Sequence, residues 1–189
     1  LVSLNYHDKV SQSDYLKYCK KFDQLPHKEF KKLNIREIRG KIKVGFLSPD
    51  FKNHSVSFFL EDILKQIEKN DFELFALSNL DISSHDDMTI RLKKIFDRWE
   101  DVSEFNDQEF IEFTRNLNLD ILIDLSGYFI GNRIQSLRAK CAPIQISWLG
   151  YCNTLGIKNM DYLIADKNVI PMNEQNEYSE KILYMPNIW

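Results

Sequence analysis

Residues 41–65 read KIKVGFLSPDFKNHSVSFFLEDILK, and this stretch decides the fold. Val44, Phe46 and Leu47 carry the mostly apolar, β-favouring side chains of a strand. Ser48-Pro49-Asp50 ends it, because proline cannot donate to a ladder and Asp favours turns. Asn53 or Ser55 is placed to cap a following helix. Val56, Phe59, Leu60, Ile63, Leu64 and Ile67 then recur at helical spacing, which predicts one apolar face. The polar loop so formed carries Asp50 and His54 at a strand C-terminus and a helix N-terminus, where open α/β sheets bind ligands and free N–H groups attract anions. It contains neither G-x-G-x-x-G nor G-K-[ST], so it is not a dinucleotide or Walker fingerprint. A carboxylate four residues before an imidazole can orient it for proton work; Asp50 can equally be a turn residue alone.

Outward from this stretch the alternation continues. Residues 72–77 (FELFAL) predict a second strand, and 78–87 a polar loop. Ile90, Leu92, Ile95 and Phe96 mark a short helix, and 99–102 a short strand. Asn106 or Asp107 caps a helix through Phe110, Ile111, Phe113 and Leu117. Residues 119–125 (LDILIDL) are nearly continuous in apolar side chains, as expected of a central parallel strand buried on both faces, with Ile121 and Ile123 almost fully covered. A loop at 126–133, a short helix with Ile134, Leu137 and Ala139, a strand at 143–148 and a loop at 149–156 follow. Residues 162–165 and 181–184 are further strands. The pattern predicts an α/β fold with a Rossmann-like, doubly wound parallel sheet over residues 41–189. The loops near 48–55, 126–133 and 149–156 then leave strand C-terminal ends and can converge on one crevice.

Residues 1–40 differ. Tyr15, Leu16, Tyr18, Cys19 and Phe22 predict one helix starting near Ser13 or Asp14, broken by Leu25-Pro26. Lys28, Lys31, Lys32, Arg36, Arg39, Lys41 and Lys43 against Glu29 and Glu37 read as a solvated basic connector. The segment lacks an initiator Met, and the chain is expected to be a piece of a longer one.

Composition narrows the class. The net charge of −3 gives no reason to expect nucleic acid or an anionic membrane as partner. Three widely spaced cysteines, Cys19, Cys141 and Cys152, form no C-x-x-C and point to a reducing, cytoplasmic setting. Cys141 and Cys152 read as buried thiols, Trp148 as a core aromatic and His85 as exposed in its charged loop. No two of the four histidines stand at metal-ligand spacing, so no metal is expected.

Five blocks, KVGFLSPDFKNHSV, DILIDLSGYFIGNR, APIQISWLGYCNTLG, MDYLIAD and YSEKILYMP, stand in an order and at intervals that resemble the family 41 glycosyltransferases, the O-linked N-acetylglucosamine transferases and their SPINDLY-like relatives. The resemblance covers about residues 41–186, and more weakly the first 40. It implies the N-terminal lobe of a two-lobed GT-B enzyme that moves a sugar, N-acetylglucosamine, from a UDP-sugar to protein Ser or Thr hydroxyls with inversion, using neither metal nor cofactor. It implies a second lobe beyond Trp189 and upstream tetratricopeptide repeats, with 1–40 as the helical bridge from them. It also implies catalytic roles for His54 and Asp50. Donor-side roles fall to Leu149, Gly150, Tyr151, Gly127, Tyr128 and Arg133. The general base stays open among His54, Asp50 and a water chain. Where the family usually has Pro and a second His, this chain has Ser55 and Phe58. Its G-Y-P-G-T becomes Gly150-Tyr151-Cys152-Asn153-Thr154. These departures keep an alternative in view: a family-derived lobe without catalysis that binds other proteins.

Overall fold

The structure is a computed structural model and describes residues 1–28, 30–33, 35 and 37–186. Glu29 and Arg36 of the basic connector, and the 187–189 end, lie outside the described residues. A short 3-10 helix, Val2–Tyr6, precedes α1 (Gln12–Asp23). The alternating part runs β1 (Ile42–Ser48), α2 (Ser55–Gln66), β2 (Phe72–Ser78), α3 (Asp87–Lys93), β3 (Arg98–Asp101), α4 (Asp107–Asn116), β4 (Ile121–Asp124), α5 (Ile134–Leu137), β5 (Ile144–Ser147), β6 (Tyr162–Ala165) and β7 (Lys181–Tyr184).

Among the described residues seven strands form one sheet, ordered β3-β2-β1-β4-β5-β6-β7, with every neighbouring pair parallel. The α/β, doubly wound reading holds, and β4 is the middle strand. Successive residues of a strand point to opposite faces, and both faces are covered. Phe46, Leu74 and Ile123 pack with Val56, Leu60 and Leu64 of α2 and with Met88 and Leu92 of α3. Leu47, Phe75 and Leu122 pack with Phe110 and Ile111 of α4 and with Ile134 and Leu137 of α5. Chain direction across the sheet reverses between β1, which leads to β2 on one side, and β4, which leads to β5 on the other. Ligands bind outside strand C-termini at such a switch point.

Several side chains lie elsewhere than the periodicity predicts. In α2 Phe59 is 64% exposed and Ile63 is 40% exposed, while Ser57 is buried. The helix is rolled toward Ser57, whose Oγ donates to the Asp50 carbonyl (2.6 Å). The row 56/60/64 therefore faces the sheet and the row 59/63 faces out. Ile121 is half-buried: it opens β4 in register with Ile144, itself 37% exposed, at the rim of the sheet. Cys152 is exposed, and all three cysteines are free. His85 is not exposed, because its ring packs edge-on against Trp99 (6.4 Å). Trp148 is half-buried against the α2 side of the sheet.

Residues 1–28 lie on the sheet domain. Ser11 caps α1, two or three residues before the sequence signal at Ser13 or Asp14. Tyr15, Leu16 and Cys19 are buried. Arg138, itself buried, donates to the carbonyls of Asp23 (2.6 Å) and Leu25 (2.5 Å) and ties the end of α1 to α5. Among the described residues no helix is long and apolar enough to cross a membrane.

Candidate active site

The loops after β1, β4 and β5 converge on one cleft of about 450 Å³ at the switch point. Asp50, His54, Ser55, Val56 and Phe59 form one wall; Leu125, Ser126, Phe129 and Ile130 form the floor and rim; Leu149 and Gly150 close the far side. The first loop is held rigidly. Asp50 N donates to Ser48 Oγ (2.9 Å), Asn53 N to the Asp86 carboxylate (2.6 Å), and Thr89 Oγ1 to the Phe51 carbonyl (2.7 Å). Phe51 is fully buried against Phe96 and Trp99.

The cap of α2 is His54, not Asn53 or Ser55. Its Nδ1 accepts the Val56 backbone N–H (3.3 Å). An acceptor nitrogen carries no hydrogen, so the neutral ring has its proton on Nε2. His54 therefore offers the cleft a donor. The Asp50 carboxylate lies 3.9 Å from Nδ1, a charge contact beyond hydrogen-bond length. As it stands Asp50 does not fix the imidazole through Nδ1–H, and its lone pairs remain available in the cleft. The twelve-residue helix α2 adds free N–H groups and its positive end to the same wall.

The far wall is shaped by backbone. Leu149 holds a left-handed φ of +71°, a conformation that costs a non-glycine residue about 1–2 kcal/mol. Any Cβ on Gly150 would overlap the Leu125 carbonyl oxygen, so β4 and the third loop touch through a residue that only glycine can supply.

Of the residues singled out from sequence, Asp50, His54, Leu149 and Gly150 meet in the cleft. Gly127, Tyr128 and Tyr151 lie behind its floor. The Tyr151 ring, 3% exposed, occupies the space over Gly127 and packs edge-on to Tyr128 (5.7 Å) and Phe129 (5.4 Å). Tyr128 Oη donates to the Leu155 carbonyl (2.5 Å). Arg133 is outside the lining. Its guanidinium donates to Asn79 Oδ1 (2.9 Å) and to the carbonyls of Phe105 (2.6 Å) and Val102 (2.7 Å), and stacks over Phe110. It braces the loops after β2 and β3.

Sequence reasoning missed Ser126, Phe129 and Ile130, and also Asp124 beneath them. Asp124 ends β4 fully buried and accepts Gly127 N–H (2.8 Å) and the Ser126 hydroxyl (3.1 Å). Burial pushes its carboxyl up to about 6, against the opposing pull of the Gly127 N–H and the Ser126 hydroxyl. The signal was present in LIDL: a charged residue closing an apolar strand at its C-terminal end.

A Rossmann-like lobe with a mostly apolar cleft at its switch point, edged by Asp50, His54, Ser55 and Ser126, has the arrangement in which open α/β sheets bind ligands. The family model described as glycosyl transferase family 41 matches residues 12–189, and the chain belongs to that family. It is 28% identical over 158 residues to the probable UDP-N-acetylglucosamine–peptide N-acetylglucosaminyltransferase SPINDLY of Arabidopsis thaliana, an alignment covering 82% of this chain and 17% of that protein. It is 30% identical over 148 residues to the UDP-N-acetylglucosamine–peptide N-acetylglucosaminyltransferase of Caenorhabditis elegans, covering 78% of this chain and 13% of that one. A solved Thermobaculum terrenum O-GlcNAc transferase mutant superposes with a TM-score of 0.86 at 25% identity, covering 100% of this chain and 36% of that chain. The chain thus spans only a small part of its curated relatives' length.

Proposed function

We propose that this chain is the N-terminal lobe of a two-lobed GT-B glycosyltransferase that moves N-acetylglucosamine from its UDP conjugate to Ser or Thr hydroxyls of proteins. The observation that carries this reading is the switch-point cleft in which Asp50 and His54 face the Leu149–Gly150 wall. The names of the relatives support the donor and the peptide acceptor. The small share of each relative that the chain spans supports a second lobe completing the cleft and, in this reading, upstream tetratricopeptide repeats. The free cysteines fit the cytoplasm.

The roles follow from the geometry. Inverting transfer needs an acceptor hydroxyl that loses its proton as it attacks, and stabilisation of the leaving pyrophosphate. With Nδ1 engaged by Val56, His54 acts through Nε2–H, as a donor to a phosphate or sugar oxygen. The N-terminus of α2 helps to hold the negative charge there. Asp50, whose lone pairs are available, takes the acceptor proton. Leu149 and Gly150 support the donor sugar; Gly127, Tyr128 and Tyr151 hold that wall from behind. No metal or cofactor takes part in this scheme, and the UDP-sugar is a substrate.

The test is transfer by the intact polypeptide that carries this lobe, incubated with UDP-N-acetylglucosamine and protein acceptors. Expected are N-acetylhexosamine on Ser or Thr by mass spectrometry, β-linkage by proton NMR and an unchanged rate in chelator. A folded polypeptide without transfer would leave the second reading, a protein-binding lobe, which the exposed Phe58 and Phe59 on α2 favour.

A further inference from the structure

Behind the cleft lies a polar cluster that this chemistry does not use. Residues of the N-terminal segment meet the loop after β5. Tyr15 and Tyr151, 2% and 3% exposed, share a hydrogen bond between their hydroxyls. Asn5 Nδ2 donates to Tyr151 Oη (2.9 Å), and Asn5 Oδ1 accepts from Asn153 Nδ2 (2.8 Å). Gln12 Nε2 donates to Asn153 Oδ1 (2.5 Å). Cys19 presses on Gly156 so closely that a Cβ there would overlap it.

From this cluster the contact passes directly to the cleft. Tyr151 follows Gly150 in the chain, its ring seals Gly127, and its edge meets Phe129, which lines the cleft. Leu149 sits at φ +71°, and a strained backbone of this kind persists only where its surroundings hold it. Gly150 is held by Leu125 on one side. On the other side it is held through Tyr151, whose hydroxyl finds its partners in α1 and the segment before it. Burial raises both phenol pKa values, so the pair stays neutral and the tie does not titrate at working pH.

We propose that Tyr15 is a positioning residue: through the Tyr15–Tyr151 hydroxyl contact, the N-terminal helix sets the Leu149–Gly150 wall of the donor site. The proposal rests on the function read above and extends it, because it makes the segment preceding the sheet part of the active-site frame.

The test uses Tyr15→Phe, Tyr151→Phe and the double variant. Both rings remain, so packing is kept; Tyr15→Phe removes the hydroxyl contact, and Tyr151→Phe removes that contact and the acceptor of Asn5 Nδ2. In the intact polypeptide Tyr15→Phe should raise the donor KM roughly threefold to tenfold, the effect of one uncharged hydrogen bond, and Tyr151→Phe at least as much. The acceptor KM should be unchanged. The double variant should be no worse than Tyr151→Phe alone, because that variant already removes the Tyr15–Tyr151 contact. In residues 1–189 alone, amides of 149–156 should exchange faster in Tyr15→Phe, with β1 and β4 protected as before. A lower melting temperature with an unchanged donor KM would make the pair purely structural and overturn the proposal. So would unchanged exchange at 149–156, a readout that stands even if the wild type transfers no sugar; that last outcome would remove the functional reading alone.

Discussion

His54 caps α2 through Nδ1 and leaves Nε2–H for the cleft, so its replacement changes two quantities at once. His54→Ala should lower kcat roughly 100- to 1,000-fold, the range for losing one positioned donor to developing negative charge. It should also lower stability by about 1 kcal/mol, because the Val56 N–H loses its cap. His54→Asn restores a good cap but no imidazole, and should melt near the wild type with kcat equally low. Asp50→Asn should match that loss if Asp50 accepts the acceptor proton. Near-normal turnover per folded molecule in both His54 variants would end the catalytic assignment. Asp124 calls for a different measurement. Burial lifts its carboxyl from 3.8 to about 6, so the folded state holds that proton more tightly than the unfolded chain does. The resulting stabilisation is complete below the unfolded value and is lost as pH rises through about 6, an effect of about 3 kcal/mol. Asp124→Asn has no such proton to lose. Its stability relative to wild type, from urea midpoints, should climb between pH 4 and 7; a flat difference would show that Asp124 ionises freely.

Strand β4 carries the largest demand at the level of elements. It is paired on both sides, to β1 and β5, and covered on both faces. Ile123 packs between α2-side residues, and Ile123→Asp would strand a carboxylate there without a partner. The cost is several kcal/mol, comparable to the whole stability of a domain. The variant should be insoluble or lack a cooperative transition on heating. A soluble, cooperative unfolder would contradict the central role of β4. Helix α2 shows how a local pattern can mislead. Its apolar residues mark two rows, yet the Ser57–Asp50 bond rolls it so that Phe59 lines the cleft instead of the core.

In the molecule as a whole the cleft is open to one side. Its described walls come from the loops after β1, β4 and β5, and Phe59 and Ile130, at 64% and 97% exposed, stand at its lip. Ligands are gripped when most of their surface is enclosed. Residues 1–189 alone should therefore bind UDP more weakly than micromolar in titration calorimetry, and should transfer no sugar. Micromolar binding would locate the nucleotide site in this lobe and refute the two-lobed architecture proposed above.

The strands, their parallel order and the loops that bear Asp50, His54, Leu149 and Gly150 were legible in the sequence. A strand buried on both faces must be apolar throughout, and a turn must carry its own turn residues; both are local necessities. What lies opposite what is not local. Tyr15 and Tyr151 are 136 positions apart, and nothing in either neighbourhood announces their contact. Arg133, next to the glycine loop in sequence, turns to the carbonyls of Val102 and Phe105, because buried carbonyls there need donors. The sequence alone determined the sheet and the chemistry gathered at its switch point. The tertiary structure decided which of those side chains face the cleft and which hold it in shape, since facing is set by packing between distant segments.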